Sequence, residues 1–267
     1  MKKHRLLLGL YRIYLKLART PLSPHFLTFF PLHRRLTAVL RRLCHGVVLD
    51  VGSGFSPFYE TARKNASYYF SLDYPLTSEL SPFEAGPVSR KSHIWGDALS
   101  MPVKSDSCDV VICTSVLEHV EDPLAVLREI FRVLRPGGRV IGSVPFGHNL
   151  HMEPFDFFRI SEYGLRSLAQ ASGFHVAHIE AIGKGFHALG ACAADMLIRN
   201  LAGFRSNTIF SMGILQIIGR AALLILLYPL ILLINLISPV LDLILPHVSF
   251  PIDYVFVYEK AARGEQP

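Results

Sequence analysis

Short runs of β-branched and aromatic residues alternate with segments of helical periodicity between residues 46 and 182. The runs predict strands at 47–51, 68–72, 93–95, 109–113, 139–144 and 174–182. Helices are predicted most clearly at 57–64, 123–134 and 161–172. Strands that alternate with helices are typical of an α/β fold with a mostly parallel sheet.

A long apolar stretch follows this alternating region. Residues 213–246 carry only two charged side chains, Arg220 and Asp242, and the 21 residues 221–241 between them carry none. By length alone this stretch is a transmembrane candidate. It is followed by one more predicted strand, 254–258.

That last strand restricts how the apolar stretch meets a membrane. If 254–258 rejoins the sheet, the chain must return to the side where it started, so a single crossing conflicts with the fold. Two crossings need about 40 residues, and the stretch has 34. We therefore expect a pair of helices, kinked at Pro229 and Pro239, that dips into one leaflet or lies in the interface. A buried helical cap on the domain and a dimer face are the alternatives.

Positive charge is concentrated at the N-terminus. Residues 1–45 hold ten Lys and Arg and no acid, whereas the rest of the chain holds 17 basic and 21 acidic side chains. The pI of 9.2 is therefore poor evidence for nucleic-acid binding, and we expect no nucleic-acid partner. Residues 1–20 predict a basic amphipathic helix suited to an anionic membrane surface, or alternatively one that packs its leucines on the main domain.

These patterns divide the chain into four parts: a basic N-terminal arm (1–45), an α/β core (46–182), a helical, apolar, membrane-seeking insertion (183–250), and the final strand with a polar tail (251–267). Residues 21–45 predict a loop and a short helix that lead into the core. The four cysteines include no CxxC pair, which disfavours disulfides and structural zinc and favours reduced thiols that face the cytosol.

The segment VVLDVGSGFSPF (47–58) predicts a strand, a glycine turn and a helix start. Asp50 ends the strand, and Gly52 and Gly54 let the backbone turn tightly beside a ligand. Ser56 is in position to cap the next helix, Pro57 would be its first residue, and the helix N-terminal amides would face the ligand. Taken alone, a GxG turn is a weak signal.

Four further motifs follow in order: LDYP with Asp73, WGDALSMP with Asp97, CDVVICTSVLEHVEDP, and LREIFRVLRPGGRVIGSVPF. This ordered set resembles the class I S-adenosylmethionine-dependent methyltransferases, in particular the small-molecule, methyltransferase type 11-like group. The resemblance covers residues 46–182 and the last strand. It implies a Rossmann-like α/β sandwich with a mostly parallel, seven-stranded sheet and the apolar helical insertion before the last strand.

The resemblance also implies a cofactor site for S-adenosyl-L-methionine. Its residues would be Asp50, Gly52 and Gly54 near the methionine part, Asp73 on the ribose, Tyr74, Asp97 and Ala98 at the adenine, and Thr114 near the amino-acid end. Many family members have a third glycine where this chain has Ser56, which is expected to change local packing more than binding. Each aspartate taken singly could instead be a turn former or a helix cap.

Acceptor chemistry is expected in two segments that follow strands. His119, in LEHV, and His151, in the aromatic segment 145–161, are candidate general bases, while Asp156 and Arg159 are candidate substrate contacts. Alternatively, His119 is a family-wide helix-start residue, and an Asp156–Arg159 ion pair fixes a lid. The spacing of His148, His151 and Glu153 matches no known zinc pattern, so no metal site is expected.

Together these observations predict methyl transfer from S-adenosyl-L-methionine to a small or lipid- or glycan-linked acceptor. The expected location is the cytoplasmic face of a membrane, bound through 1–20 and 213–246 in a peripheral, monotopic or transmembrane manner. One alternative is a membrane-associated, non-catalytic scaffold that binds the cofactor. A nicotinamide-dependent oxidoreductase is disfavoured because Pro57 replaces the last glycine of GxGxxG.

Overall fold

The computed structural model describes residues 17–54, 56–74, 94–201, 214–245 and 250–264. Seven strands are present in this part of the chain: β1 (Gly46–Val51), β2 (Ala66–Asp73), β3 (Ile94–Trp95), β4 (Cys108–Thr114), β5 (Leu134–Pro145), β6 (His175–Ile182) and β7 (Asp253–Glu259). Six α-helices accompany them: α1 (Phe26–Leu43), α2 (Tyr59–Arg63), α3 (Pro123–Val133), α4 (Glu162–Ala171), α5 (Phe186–Met196) and α6 (Ile214–Ile244). Most of the basic helix predicted for 1–20 lies outside the described residues.

All seven strands form one sheet in the order β3-β2-β1-β4-β5-β7-β6. The pairs β1–β2, β2–β3, β1–β4 and β4–β5 are parallel, and β7 pairs antiparallel with both β5 and β6. The predicted mostly parallel, seven-stranded Rossmann-like sheet is thereby confirmed. After β1 the chain moves outward to β2 and β3 and then returns to place β4 on the other side of β1.

Helices cover both faces of the sheet, which explains why its central strands are apolar throughout. On one face, Leu36 and Leu40 of α1 pack against Val48 and Val110. On the other, α3 and α4 pack against the alternate residues of the same strands, such as Leu49 and Val111. The central strands β1 and β4 are therefore buried on both faces, and the loops that follow them reach solvent.

Two helical predictions need correction. The helix expected at 57–64 begins at Tyr59 and has five residues, with Phe58 and not Ser56 at its cap position. Ser56 has a φ of 47°, so the chain is still turning there and the remaining helix is too short to present an N-terminal ligand site. The short helix expected within 21–45 is instead α1, with 18 residues, because its apolar stripe packs along the whole sheet face.

The pair of kinked helices expected within 213–246 is also corrected. Residues 214–244 form one unbroken helix that contains both Pro229 and Pro239. Each proline removes one backbone hydrogen bond, but the packed side of the helix, with Ile231, Asn235 and Ser238 buried, holds it together. The antiparallel partner of α6 lies upstream: it is α5 with the π-helical turn Leu197–Leu201.

Contacts along this helical hairpin run in opposite chain directions, as its antiparallel pairing requires. The carboxylate of Asp242, near the end of α6, accepts hydrogen bonds from the backbone N–H groups of Phe186 and His187 at the start of α5, at 2.7 and 3.0 Å. Earlier in α6, Ile231 packs with Ala194 and Ile198. An out-and-back hairpin returns the chain to the side it left, which resolves the topological conflict raised by the sequence.

One side of α6 is fastened to the domain. Ile231, Asn235 and Ser238 form a buried stripe at helical spacing. The side-chain amide of Asn235 donates hydrogen bonds of 2.8 Å to the backbone oxygens of both Pro21 and Ser23. The helix is therefore held at its C-terminal half against α5 and the N-terminal segment.

The other side of α6 is apolar and exposed. It presents the side chains of Leu215, Ile218, Ile225, Leu226, Leu230, Leu233, Leu236, Ile237, Val240, Leu243 and Ile244 to solvent. The segment Ile218–Ile244 is long and apolar enough to cross a membrane, with a mean hydropathy of 2.5 and 17% of its most apolar window buried. By length and composition only, this is weak evidence of membrane contact.

We predict that Asp242 stabilises the hairpin by capping α5. Asp242→Ala leaves two backbone N–H groups at the start of α5 without acceptors and should lower the free energy of unfolding by about 1–2 kcal/mol. Asp242→Asn keeps one of the two acceptor oxygens and should lose a smaller amount. Urea unfolding in mild detergent measures both, and equal losses for the two variants would contradict the capping role.

Candidate functional site

The strand registers place the predicted cofactor residues at one edge of the sheet. Val51 pairs with Leu72 of β2 and with Cys113 of β4, so β1, β2 and β4 end side by side. Residues that follow these strands therefore meet at their carboxyl ends, next to the point where the strand order reverses. In open α/β sheets, this crevice is where ligands bind.

The glycine turn after β1 is hydrogen-bonded to the end of β2. The backbone N–H of Ser53 donates to the carbonyl oxygen of Leu72 at 3.2 Å, and that of Gly54 donates to Oδ2 of Asp73 at 2.8 Å. Gly52 has a φ of 62°, and a Cβ there would lie 2.4 Å from Cγ2 of Val116. The turn consequently requires glycine at position 52 for both conformation and space.

Two carboxyl groups lie beside this turn. Asp50 is buried and accepts a hydrogen bond of 2.5 Å from the hydroxyl of Tyr69, while burial raises its pKa to about 7. Asp73 is half-buried, and its other oxygen accepts from the backbone N–H of Tyr74 at 2.9 Å. Burial also raises the pKa of Asp73. A cationic ligand here would favour the ionised form of both groups.

The adenine-side residues follow β3. Asp73 pairs with Trp95 across β2 and β3, and the N–H of Gly96 donates to the carbonyl oxygen of Asp73 at 3.0 Å. Asp97 accepts from the N–H of Leu99 at 2.9 Å, so its side chain does form a turn, as the alternative interpretation expected. Tyr74 and Trp95 are exposed aromatics at this end; the sequence reasoning missed Trp95, although its place directly before the WGDA glycine was a signal.

A second group of side chains lies further along the same edge, beyond β4 and β5. Thr114 pairs with Ser143, so the loops that follow these two strands start side by side. His119 and Glu118 belong to a short 3₁₀ helix, Leu117–His119. The loop after β5 docks on this helix, because the N–H of Phe157 donates to the backbone oxygen of Glu118 at 2.8 Å.

Docking of the two loops brings together His119, His151 and Glu118. Oε1 of Glu118 lies 3.7 Å from Nε2 of His119 and 4.0 Å from Nε2 of His151. The two imidazole rings meet edge to face with centroids 4.8 Å apart. Both predicted histidines are thus in one cluster, and its third member, Glu118, was not singled out although it stands within LEHV.

Burial controls the protonation of this cluster. It lowers the pKa of His119. It also lowers the pKa of His151, to about 4, with the neighbouring His119 as a further cause. Burial raises the pKa of Glu118 to about 8. Both imidazoles are therefore neutral at pH 7, the form that can accept a proton or bind a metal ion.

Asp156 and Arg159 form a two-point ion pair that holds the loop after β5. The guanidinium donates to both carboxylate oxygens, at 2.5 and 2.6 Å, and the Asp156 side chain is only 1% exposed. Arg159 also donates to the backbone oxygens of His148 and Asn149. The ion pair anticipated as the alternative for these residues is present, whereas contact of either with substrate stays a prediction.

A polar cavity of about 80 Å³ is lined in part by His151. Its lining combines loop, α1 and α5 residues: His25, Thr28, Gly147, His148, Asn149, His151, Ala191, Cys192, Asp195 and Arg199. Asp195 accepts hydrogen bonds from Asn149 and Arg199, which ties α5 to the loop. The helical hairpin therefore forms one wall of the space next to the histidine cluster.

Comparison with known proteins agrees with this architecture. The family model described as a methyltransferase domain matches residues 49–142, which include the glycine turn and the LEHV segment. A solved structure of phosphoethanolamine N-methyltransferase 2 from Haemonchus contortus, in complex with S-adenosyl-L-methionine, has a TM-score of 0.50 at 15% identity and covers 85% of this chain and 52% of its own. The expected class I methyltransferase resemblance is confirmed for the core, in sequence over 49–142 and in fold over the sheet.

Two curated relatives are similar over part of their length. Ubiquinone biosynthesis O-methyltransferase of Pseudomonas fluorescens is 35% identical over 100 residues, which are 36% of this chain and 43% of the relative. A probable S-adenosylmethionine-dependent methyltransferase of Mycolicibacterium smegmatis is 28% identical over 172 residues, which are 61% of this chain and 65% of the relative. The chain thus spans less than two thirds of either relative.

We predict that the glycine turn tolerates a side chain at position 54 better than at position 52. In Gly52→Ala the new methyl group overlaps Val116, and the residue also keeps a positive φ that is strained for alanine. We expect these two effects to lower the free energy of unfolding by about 2–4 kcal/mol. Gly54→Ala, with a φ of 47° and nothing within 4 Å of the new Cβ, should cost about 1–2 kcal/mol. Thermal and urea unfolding of the two variants compare them; a Gly54→Ala loss as large as that of Gly52→Ala contradicts the packing argument.

Proposed function

We propose that this protein is an S-adenosylmethionine-dependent methyltransferase whose acceptor is a small or lipid- or glycan-linked molecule at a membrane surface. The observation that carries the proposal is the glycine turn closed on Asp73, set in the family-matched segment at the reversal of strand order. Support also comes from the neighbouring acids. Two half-buried or buried carboxyl groups with raised pKa values suit a ligand with positive charge at its sulfur and amino groups.

The roles proposed for the cofactor residues follow their positions. Gly52 and Gly54 admit the methionine part close to the backbone, with Asp50 beside it and Thr114 at the amino-acid end. The Asp73 carboxylate accepts from the ribose hydroxyls while Gly54 holds its orientation. Tyr74, Asp97 and Ala98 border the adenine. When bound, the cofactor supplies a methyl group on a positively charged sulfur, and the carbon–sulfur bond breaks with its electron pair retained on sulfur.

The acceptor side is assigned to the loops after β4 and β5. His119 and His151 present neutral imidazoles there, and their Nε2 atoms converge on Glu118, so the acceptor's polar end and its departing proton belong at this cluster. Asp156 and Arg159 act as positioning residues, because their ion pair fixes the loop that carries His151. An oxygen acceptor agrees with the name of the O-methyltransferase relative from Pseudomonas fluorescens.

Membrane association is proposed to place the acceptor within reach. The exposed apolar side of α6 is larger than soluble monomers ordinarily present to water, and the hairpin that carries it also walls the cavity beside His151. The basic arm 1–20 adds attraction for anionic lipid. Free cysteines, all four buried or partly buried, agree with the cytoplasmic face.

Two other functions remain to be tested against this one. A non-catalytic scaffold would bind the cofactor without turnover, and nothing in the cofactor turn distinguishes it from an enzyme. A nicotinamide-dependent oxidoreductase would bind NADH at the same edge, but Pro57 stands where that fingerprint has its third glycine.

Calorimetric titration of the purified chain in mild detergent tests the cofactor. We expect binding of S-adenosylmethionine and none of NADH, with affinity reduced at least tenfold in Asp73→Ala because the variant loses the ribose acceptors and the partner of Gly54. Asp106→Ala removes an exposed aspartate paired with Lys260 and should bind as the wild type does. NADH binding, or an unchanged affinity in Asp73→Ala, would overturn the assignment; cofactor binding with no methyl transfer to any lipid-extract acceptor favours the scaffold.

Flotation with anionic phospholipid vesicles tests membrane contact. Leu226→Asp puts a charge on the exposed apolar side of α6, where the side chain is 75% exposed, and should reduce the bound fraction at least tenfold. Tyr163→Asp makes a comparable change on α4, at 82% exposure, and should leave binding unchanged. Equal binding of Leu226→Asp and wild type would remove α6 from the membrane interface.

A further inference from the structure

Glu118 is an unusual residue for the interior of a domain. Its side chain is fully buried, and neither carboxylate oxygen has a hydrogen-bond partner in another residue within the described ranges. Burial of a polar group without a partner destabilises the fold, and burial of a charged one does so more strongly. Such a group points to a binding partner that the polypeptide itself does not provide.

The side chains nearest this carboxylate are arranged as donors of lone pairs. Nε2 of His119 and Nε2 of His151 lie 3.7 and 4.0 Å from Oε1 of Glu118, and one ligand atom from each of the three residues fits within 4.8 Å of the others. A tetrahedral ion with bonds of about 2.0–2.1 Å separates its ligands by about 3.4 Å. The three groups need to close by about 0.3 to 1.4 Å to hold an ion between them.

The Nδ1 atoms of His119 and His151 face oxygen atoms, as the second ring nitrogen of a metal-bound histidine usually does. Nδ1 of His119 donates to the backbone oxygen of Phe155 at 2.6 Å, which leaves Nε2 as the lone-pair nitrogen. Nδ1 of His151 lies 3.4 Å from the Asp156 carboxylate and 3.3 Å from the backbone oxygen of Asn149. Contacts of this kind, a carbonyl behind one histidine and a carboxylate behind the other, orient the rings of metal ligands.

Arg159 completes this outer layer. Its ion pair with Asp156 keeps that carboxylate ionised and in place, and the neighbouring guanidinium lowers the pKa of Asp156.

We propose that Glu118, His119 and His151 bind one divalent transition-metal ion, with zinc as the ion to test. Two imidazoles and a carboxylate are ligands that suit zinc and its first-row neighbours, and three protein ligands leave a coordination position open. In this arrangement the histidines act as ligands and not as the general bases that the sequence predicted.

The open position suggests what the ion does, and this part rests on the proposed methyltransferase function. A metal ion lowers the pKa of a hydroxyl group bound to it. The ion then takes the place of a histidine base. An acceptor hydroxyl bound to it would release its proton to solvent, and the resulting oxygen anion would take the methyl group as the carbon–sulfur bond breaks. The acceptor class is then one that can coordinate a cation, such as a phenol or a vicinal diol.

Metal binding can be measured without cofactor or acceptor. The full-length, tag-free chain is stripped with chelator and titrated with Zn²⁺ by calorimetry, and its Co²⁺ form is examined by visible absorption. We expect one equivalent of Zn²⁺, and Co²⁺ d–d bands typical of a four- or five-coordinate site with nitrogen and oxygen ligands. Absence of stoichiometric binding, or the spectrum of hexa-aqua Co²⁺, would overturn the proposal on the wild-type chain alone.

Variants locate the ion. Glu118→Gln, His119→Gln and His151→Gln should each weaken Zn²⁺ binding at least tenfold, whereas His148→Gln, a neighbouring imidazole of the same loop, should leave it unchanged. Circular dichroism checks that each variant is folded. Binding that survives the three ligand variants, or that is lost in His148→Gln, overturns the assignment. S-adenosylmethionine binding in the chelator-treated chain is measured in parallel, so a failure of the metal site is distinguished from a failure of the proposed function.

Discussion

The pairing of β1 with β2 on one side and β4 on the other is the constraint on which the rest of the structure depends. The chain leaves β1 in one direction and later returns to its other side, so the loops that follow β1 and β4 diverge and open a crevice between them. The glycine turn is fixed by its hydrogen bonds to the end of β2. The 3₁₀ helix with Glu118 and His119 starts from the end of β4. The positions of both candidate sites are therefore set by the backbone hydrogen bonds that pair β1 with β2 and with β4.

Much of this arrangement could be predicted from the sequence because it is local. Most strands of the core were visible as short apolar runs, and the proposed cofactor residues stand at or just after the ends of these strands. The predicted helix boundaries were less accurate where backbone conformation determines where a helix begins. Because Ser56 has a positive φ, α2 begins two residues later than predicted, and no side-chain pattern indicates this.

The histidine cluster shows what local patterns cannot provide. His148, His151 and Glu153 are close in sequence, but Glu153 is exposed, and the neighbours of His151 are Glu118 and His119, more than thirty residues earlier. Their meeting depends on the register of β4 with β5 and on the docking of two loops. The same holds for α6, whose length and apolarity were evident but whose partner α5 was found only in the fold. Asp242, one of only two charges in the apolar stretch, was the available signal, since a lone carboxylate there needs buried partners.

The last strand of the chain, β7, is inserted between β5 and β6, and within the described residues β6 pairs with no other strand. During synthesis on the ribosome, β6 and the whole helical hairpin emerge before the strand that attaches them to the sheet. The apolar side of α6 is therefore available to chaperones or to a bilayer while the half of the sheet that carries the candidate site is still without β6 and β7. Closure of the sheet by β7 is therefore the final step of assembly, and it comes after the apolar side of the hairpin has been exposed.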